Sequence, residues 1–201
     1  MNKRYGCLSV FVLIFLIFGC VSSKYEKRIS NDTIVLGQTT LSQIKKMLGE
    51  PVESTTDTIN EYEIKALLYR YGGLLYTSAD GKDGKKVAPE RKQNFYFHND
   101  VLVGHVYTSS WKEDSTAFDT DKVKSIKEGI STRKDVEALF GLPTGHFLFP
   151  IVGKNETSII YRHDSYVLGG WSNWTEKELL EIRLNSDGRV TKVFYTETGK
   201  K

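Results

Sequence analysis

Gly37-Gln38-Thr39-Thr40-Leu41-Ser42-Gln43-Ile44-Lys45-Lys46-Met47-Leu48-Gly49-Glu50-Pro51 carries both ends of a helix within itself. Thr40 is a natural N-cap, and Gln43 three residues on completes a capping box. Leu41, Ile44, Met47 and Leu48 recur at helical spacing and form one apolar stripe. Gly49 can take the positive φ that closes a helix, and Pro51 forbids its continuation. The same signals return in Thr132, Asp135, Val136, Leu139, Phe140, Gly141 and Pro143. Shifting the chain by the distance from Ile34 to Ile126 superimposes the two stretches without a gap. Gly37 then falls on Gly129, Thr40 on Thr132, Gly49 on Gly141, Pro51 on Pro143, Tyr69 on Tyr161 and Arg70 on Arg162. A match at fixed offset is the mark of a duplicated supersecondary unit. Leu48 and Phe140 are expected at equivalent core positions.

Outward from each helix the pattern turns extended. Residues 64–71 and 158–166 are β-branched and aromatic. The segments 94–98 and 101–107 flank Asn99-Asp100, while 181–184 and 189–195 flank Ser186-Asp187-Gly188, and both read as hairpins. Ahead of the second helix, Asp121 to Glu128 can form a short helix, and its counterpart Asn31 to Leu36 is extended or helical. The expected fold is α+β: two tandem α-α-β-β-β repeats, each a helical layer on a small antiparallel sheet. The first repeat spans 31–110 and the second 121–201, with the polar stretch Ser109 to Thr120 connecting them.

The N-terminus predicts an address. Lys3 and Arg4 precede an apolar run from Leu8 to Phe18, shorter than the roughly 20 residues of a bilayer-crossing helix. Residues 1–19 therefore read as a signal peptide. Ile17-Phe18-Gly19-Cys20 looks like a lipobox, which makes Cys20 the lipidated first residue of the mature chain and 20–30 its tether. The chain has 2 cysteines, Cys7 and Cys20, so processing leaves no thiol for a disulfide, a metal site or a nucleophile. Removing Lys3 and Arg4 takes the net charge of +3 close to neutrality, and no nucleic-acid patch is implied.

Together, the G-x-T-x-x-[QD]-[IV]-x-x-x-[LF]-G-x-P motif at Gly37 and Gly129, the aromatic strand after it and the Asp187-Gly188-Arg189-Val190 hairpin end resemble the BamE/SmpA/OmlA family. The resemblance covers the chain after about residue 31. It implies an α-α-β-β-β unit, anchorage on the periplasmic face of the outer membrane, and a partner among outer-membrane assembly components. The tandem arrangement also resembles the β-lactamase inhibitory proteins, which implies the alternative of an inhibitor of a periplasmic or secreted hydrolase.

Nothing in the chain reads as catalytic. His163-Asp164 reads as a solvated turn, and His98, His105 and His146 lack metal-ligand spacing. Gly81 to Lys86 lacks the G-K-[ST] ending of a phosphate loop. No cofactor is expected. The candidate partner-binding residues are large rings beside glycines: Trp171 and Trp174 in the segment 167–174, Phe147 and Phe149 in the apolar run 146–152, and Tyr76 after Gly72-Gly73. Covering the sheet or filling the groove between repeats is the competing role for these rings.

Acylation at Cys20 is directly testable, because more than one chain is needed for stable membrane attachment. Metabolic labelling with a palmitate analogue is expected to mark the protein, and Cys20→Ala to abolish both the label and membrane partitioning. Equal labelling of the variant would reject the lipobox.

Overall fold

The computed structural model describes residues 28–29, 33–72, 79–80, 85–169 and 172–199. The proposed signal peptide and Cys20, as well as Tyr76 and Trp171, lie outside them.

Helix α1 runs Leu41–Leu48, and α2 runs Arg133–Phe140. Each begins with the expected capping box: the Thr40 hydroxyl accepts from Gln43 N, and the Thr132 hydroxyl from Asp135 N. In the reverse direction, Thr40 N donates to Gln43 Oε1 at 2.8 Å and Thr132 N to Asp135 Oδ2 at 2.8 Å. Both helices stop at a glycine, but not in the left-handed helical well. Gly49 has φ 84°, ψ −156° and Gly141 φ 78°, ψ −159°. Positive φ with ψ near 180° is open essentially to glycine alone. The carbonyl of each glycine then accepts a tyrosine hydroxyl, from Tyr69 at 3.0 Å and Tyr161 at 2.8 Å. That bond ties each helix end to the sheet beneath it.

The remainder is sheet. The strands are β1 (Glu53–Ile59), β2 (Tyr62–Gly72), β3 (Ala79–Asp80), β4 (Lys86–Ala88), β5 (Glu90–His98), β6 (Val101–Ser109), β7 (Gly145–Phe147), β8 (Thr157–Val167), β9 (Trp174–Leu184) and β10 (Val190–Thr198). They form one antiparallel sheet in the order β1-β2-β5-β6-β7-β8-β9-β10. β8 is longer than β7, and beyond the Gly145 end of β7 its free edge pairs, through Tyr166 and Val167, with β4, which carries β3.

This corrects the expected fold. There are not two α-α-β-β-β units, each with its own small sheet. β7 pairs with β6 through Gly104↔Phe147, His105↔His146 and Val106↔Gly145, and with β8 through Gly145↔Ile160, His146↔Ile159 and Phe147↔Ser158. A three-residue strand therefore merges the halves into one sheet. The helical layer is also thinner than expected. Residues 33–39 are turn and extended chain, held by Val35 N donating to Thr39 Oγ1 at 2.8 Å, as the β-branched Thr33, Ile34 and Val35 favour. In the second half the corresponding stretch is a 3-10 helix, Thr120–Ser125, rather than an α-helix over 121–128.

Both helices pack on the same face. The cross-strand partners Leu67, Phe95, His105, His146, Ile159 and Ile182 follow one another across six strands, and successive residues on a strand alternate faces. Under α1, Ile44 and Leu48 sit on Leu67, Tyr69, Phe95, Phe97 and Leu102. Under α2, Val136 sits on Ile159, Tyr161, Leu180, Ile182 and Val190. Ile44 and Val136 are both completely buried, and removing such a side chain from water contributes about 1.5–3 kcal/mol. The pair Leu48 and Phe140 is less alike: Leu48 is buried, whereas Phe140 is half-buried against Phe118 from the connector.

Gly141 isolates the backbone effect, since a Cβ there meets nothing within 4 Å. Gly141→Ala is expected to destabilise the protein by about 1–3 kcal/mol in denaturant unfolding, through strain alone. An unchanged midpoint would show that the φ and ψ here are not required.

Candidate functional site

The sequence candidates separate onto opposite sides of the sheet. Trp174 lies on the helix-bearing face as the register partner of Val167 at the start of β9, not in a loop. It is half-buried, and its Nε1 donates to Glu176 Oε1 at 3.1 Å, an oxygen that also accepts from Lys85 Nζ at 2.6 Å. Phe147 and Phe149 lie on the other face. Among the described residues, then, the candidate rings do not form one patch.

The face opposite the helices has its own construction. No helix among the described residues packs on it. Side chains from strands two apart meet above it. Tyr96 of β5 meets Phe147 of β7 edge to face at 5.3 Å, over Gly104 of the intervening β6. A Cβ at Gly104 would stand 2.5 Å from the Phe147 ring, so only glycine lets the two rings converge. Phe149 meets Tyr62 at 5.0 Å, and Tyr62 meets His98 at 5.3 Å, both edge to face. The loop after β7 is tied across the opening by Asn60, whose Nδ2 donates to Pro150 O at 2.9 Å and Ile151 O at 3.2 Å. Asn60 and Glu61 both have positive φ, the two-residue turn that joins β1 to β2.

Beside the rings runs a ladder of alternating charge. Arg70 pairs with Glu90 at 2.8 Å, Glu90 with Lys92 at 2.7 Å, Lys92 with Asp164 at 3.8 Å, and Asp164 with Arg162 at 2.9 Å. The expectation of a solvated His163-Asp164 turn fails here. Both residues are buried in the middle of β8 and point to opposite faces. Asp164 joins the ladder through a two-pronged bond from Arg162, while His163 Nε2 lies 2.8 Å from Ser165 Oγ on the helix side.

The centre of the helix-bearing face, between the two apolar clusters, is polar. His105 stacks on Phe95 at 4.6 Å and faces His146 across the strand pair. Burial pushes the His105 pKa down to about 3, with the nearby Arg28 charge and His146 adding to the effect. His146 is lowered to about 4 by burial, then by Arg133 and Arg28. The connector after β6 is pinned alongside by Asp114. Arg91 donates to both of its carboxylate oxygens, at 2.8 and 3.2 Å, and Tyr107 and Ser109 donate as well. Burial opposes the carboxylate charge, but these donors outweigh it, so the Asp114 pKa lies below its ordinary value. Arg91 also sits over the Trp111 ring at 4.8 Å. The sequence shows the histidines and Asp114 but no spacing that could bring them together, because the sheet register does so.

Among the described residues no group of three or more His, Cys, Asp or Glu could hold a metal, and no helix is long and apolar enough to cross a membrane.

No family model matches the chain, and no curated protein matches it. Among solved structures it is similar to a candidate beta-lactamase inhibitor protein from Streptococcus mutans, with 16% identity and a TM-score of 0.38, over 87% of this chain and 93% of that one. At that score the likeness carries no argument about function.

Buried His105 and half-buried His146 make stability depend on pH. Both have folded-state pKa values below the ordinary 6.5, so the unfolded chain binds more protons between those limits. Stability is therefore complete above about pH 6.5 and falls as the pH drops toward 4 and 3, by up to about 1.4 kcal/mol per pH unit for each histidine. His105→Phe is expected to flatten that slope in denaturant titrations at pH 4 to 7, because its ring can stack on Phe95 without a titrating nitrogen. An unchanged slope would remove His105 as a cause.

Proposed function

We propose that this chain is a non-catalytic, lipid-anchored envelope protein that holds a folded protein partner against the helix-free face of its sheet. The reading rests on one observation above the others: that face gathers Phe147, Phe149, Tyr62 and Tyr96 beside a charged ladder. Aromatic rings bury much area at small entropic cost and dominate binding energy, while a surrounding set of charges sets orientation and association rate. The anchor at Cys20 supplies the location, on the periplasmic face of the outer membrane.

Two partner classes fit this description. A periplasmic or secreted hydrolase is the first, since a face running across both halves of the sheet can cover a cleft and its rims together. An outer-membrane assembly component is the second, and it draws on the anchor, which would keep the module beside such machinery.

The test is comparative. A partner crosslinked to the wild-type chain in intact cells and identified by mass spectrometry is measured again with Phe149→Ala and Leu142→Ala. Phe149→Ala is expected to weaken capture of that same protein at least tenfold, equivalent to about 1.4 kcal/mol. Leu142→Ala, on the opposite side, is expected to leave capture unchanged. Equal capture by both variants, or loss through Leu142→Ala alone, would move the docking surface to another face. Hydrolase activity assayed with and without the purified chain then separates the two partner classes.

A further inference from the structure

On the helix-bearing side, a cavity of about 210 Å³ opens between the two apolar clusters. Its wall is apolar on one side, where Phe118, Phe140 and Tyr161 lie with ring centroids 5.2 to 6.2 Å apart. Leu142 stands at its margin, 81% exposed, and is the most exposed of the large hydrophobic residues described. The other side holds Arg28, whose guanidinium lies 5.6 Å from the centroid of the Tyr107 ring.

Arg28 is a cation without a counter-ion among the described residues. Its guanidinium makes one hydrogen bond there, from Nη2 to Pro143 O at 3.2 Å, and no ion pair. Asp114 lines the same cavity, but its carboxylate is already taken by Arg91, Tyr107 and Ser109. The neighbouring hydroxyls are also engaged: Thr144 donates to Ile160 O, Tyr161 donates to Gly141 O, and Thr116 bonds the Ser109 backbone. Among the residues lining the cavity Arg28 is the one cation, and Ser115, whose hydroxyl accepts from Ala117 N at 3.3 Å, can add a neutral donor. Burial works against the Arg28 charge and lowers its pKa, a cost that an anion beside it would offset.

We propose that this cavity is a binding site for a small amphipathic monocarboxylate, its carboxylate on Arg28 and its apolar body against Phe118, Phe140 and Leu142. The planar fork of a guanidinium matches a carboxylate in two-pronged geometry. Size sets the class of ligand. An apolar cavity of roughly 150 Å³ accommodates benzene, so this one has room for about eight to ten non-hydrogen atoms. The site lies on the opposite side of the sheet from the proposed docking face and does not depend on it.

The probe is benzoate, with benzyl alcohol as the uncharged control, titrated into the full-length chain by calorimetry and by amide chemical shifts. Benzoate is expected to bind at least tenfold more tightly than benzyl alcohol, with shifts at Thr116, Phe140 and Leu142 and weakening as salt rises. Arg28→Met is expected to remove the preference and leave the melting temperature within a few degrees of wild type. Equal affinity for the two ligands, no benzoate binding by the wild-type chain, shifts remote from the cavity, or full benzoate affinity in the folded Arg28→Met variant would each overturn the assignment. If that variant fails to fold, the wild-type comparison with its salt dependence decides alone.

Discussion

The pairing of Gly145-His146-Phe147 with β6 on one side and β8 on the other is the constraint on which the rest of the molecule depends. Without it the chain would hold two small sheets, each under one short helix. With it the sheet is continuous, and every strand from β1 to β10 shares one alternation of faces. Glycine makes the junction possible on both strands. A Cβ at Gly145 would stand 2.4 Å from His105 O, and one at Gly104 would collide with Phe147. The two backbones can therefore approach where side chains would hold them apart. The histidine pair at the same point is a compromise: polar rings occupy the centre of a buried row, and burial keeps both of them neutral.

A continuous sheet with both helices on one side has a division of labour built into it. The helix side holds the two apolar clusters, and between them the polar centre and the Arg28 cavity. The other side carries no helix among the described residues; the loop after β7 and side chains that meet across neighbouring strands cover it in part. Half-burial of Phe147 and Phe149 follows from the neighbouring rings and from the loop after β7, so these rings support the local structure and remain partly available to a partner.

The local structure was largely legible in the chain. Thr40, Gln43, Gly49 and their counterparts Thr132, Asp135 and Gly141 announce helices whose caps form as read, because capping is a short-range bond between residues three apart. The long strands β2 and β8 and the two hairpins were visible for the same reason. The global arrangement was not. β7 is three residues long and contains a glycine, so no periodicity could mark it, yet it decides that the sheet is single. β1 was missed because its run of Glu, Ser, Thr and Asp looks like a loop, although the Asn60-Glu61 turn folds it onto β2. Of the candidate site residues, Phe147 and Phe149 meet residues of β5 and β2, contacts set by strand register and by the loop after β7. Trp174 was read as a loop residue because Gly169 and Gly170 precede it, and the glycines end before the strand begins.

The same polar composition that hid β1 has a physical consequence at the sheet's margin. Among the described residues β1 pairs only with β2, and β10 only with β9, so each presents there an outward row of backbone donors and acceptors. Such rows are templates on which a second molecule could add strands indefinitely. β1 carries Glu53 and Asp57 and no basic residue, so two copies meeting there confront like charges. β10 has Lys192 and Glu197 at its exposed positions, and its one large exposed ring, Phe194, is flanked by the Arg183 and Lys192 cations at 4.9 and 5.1 Å. Threonine supplies strand-forming bulk at both margins without an apolar surface. Both margins thereby disfavour extension of the sheet by a second copy.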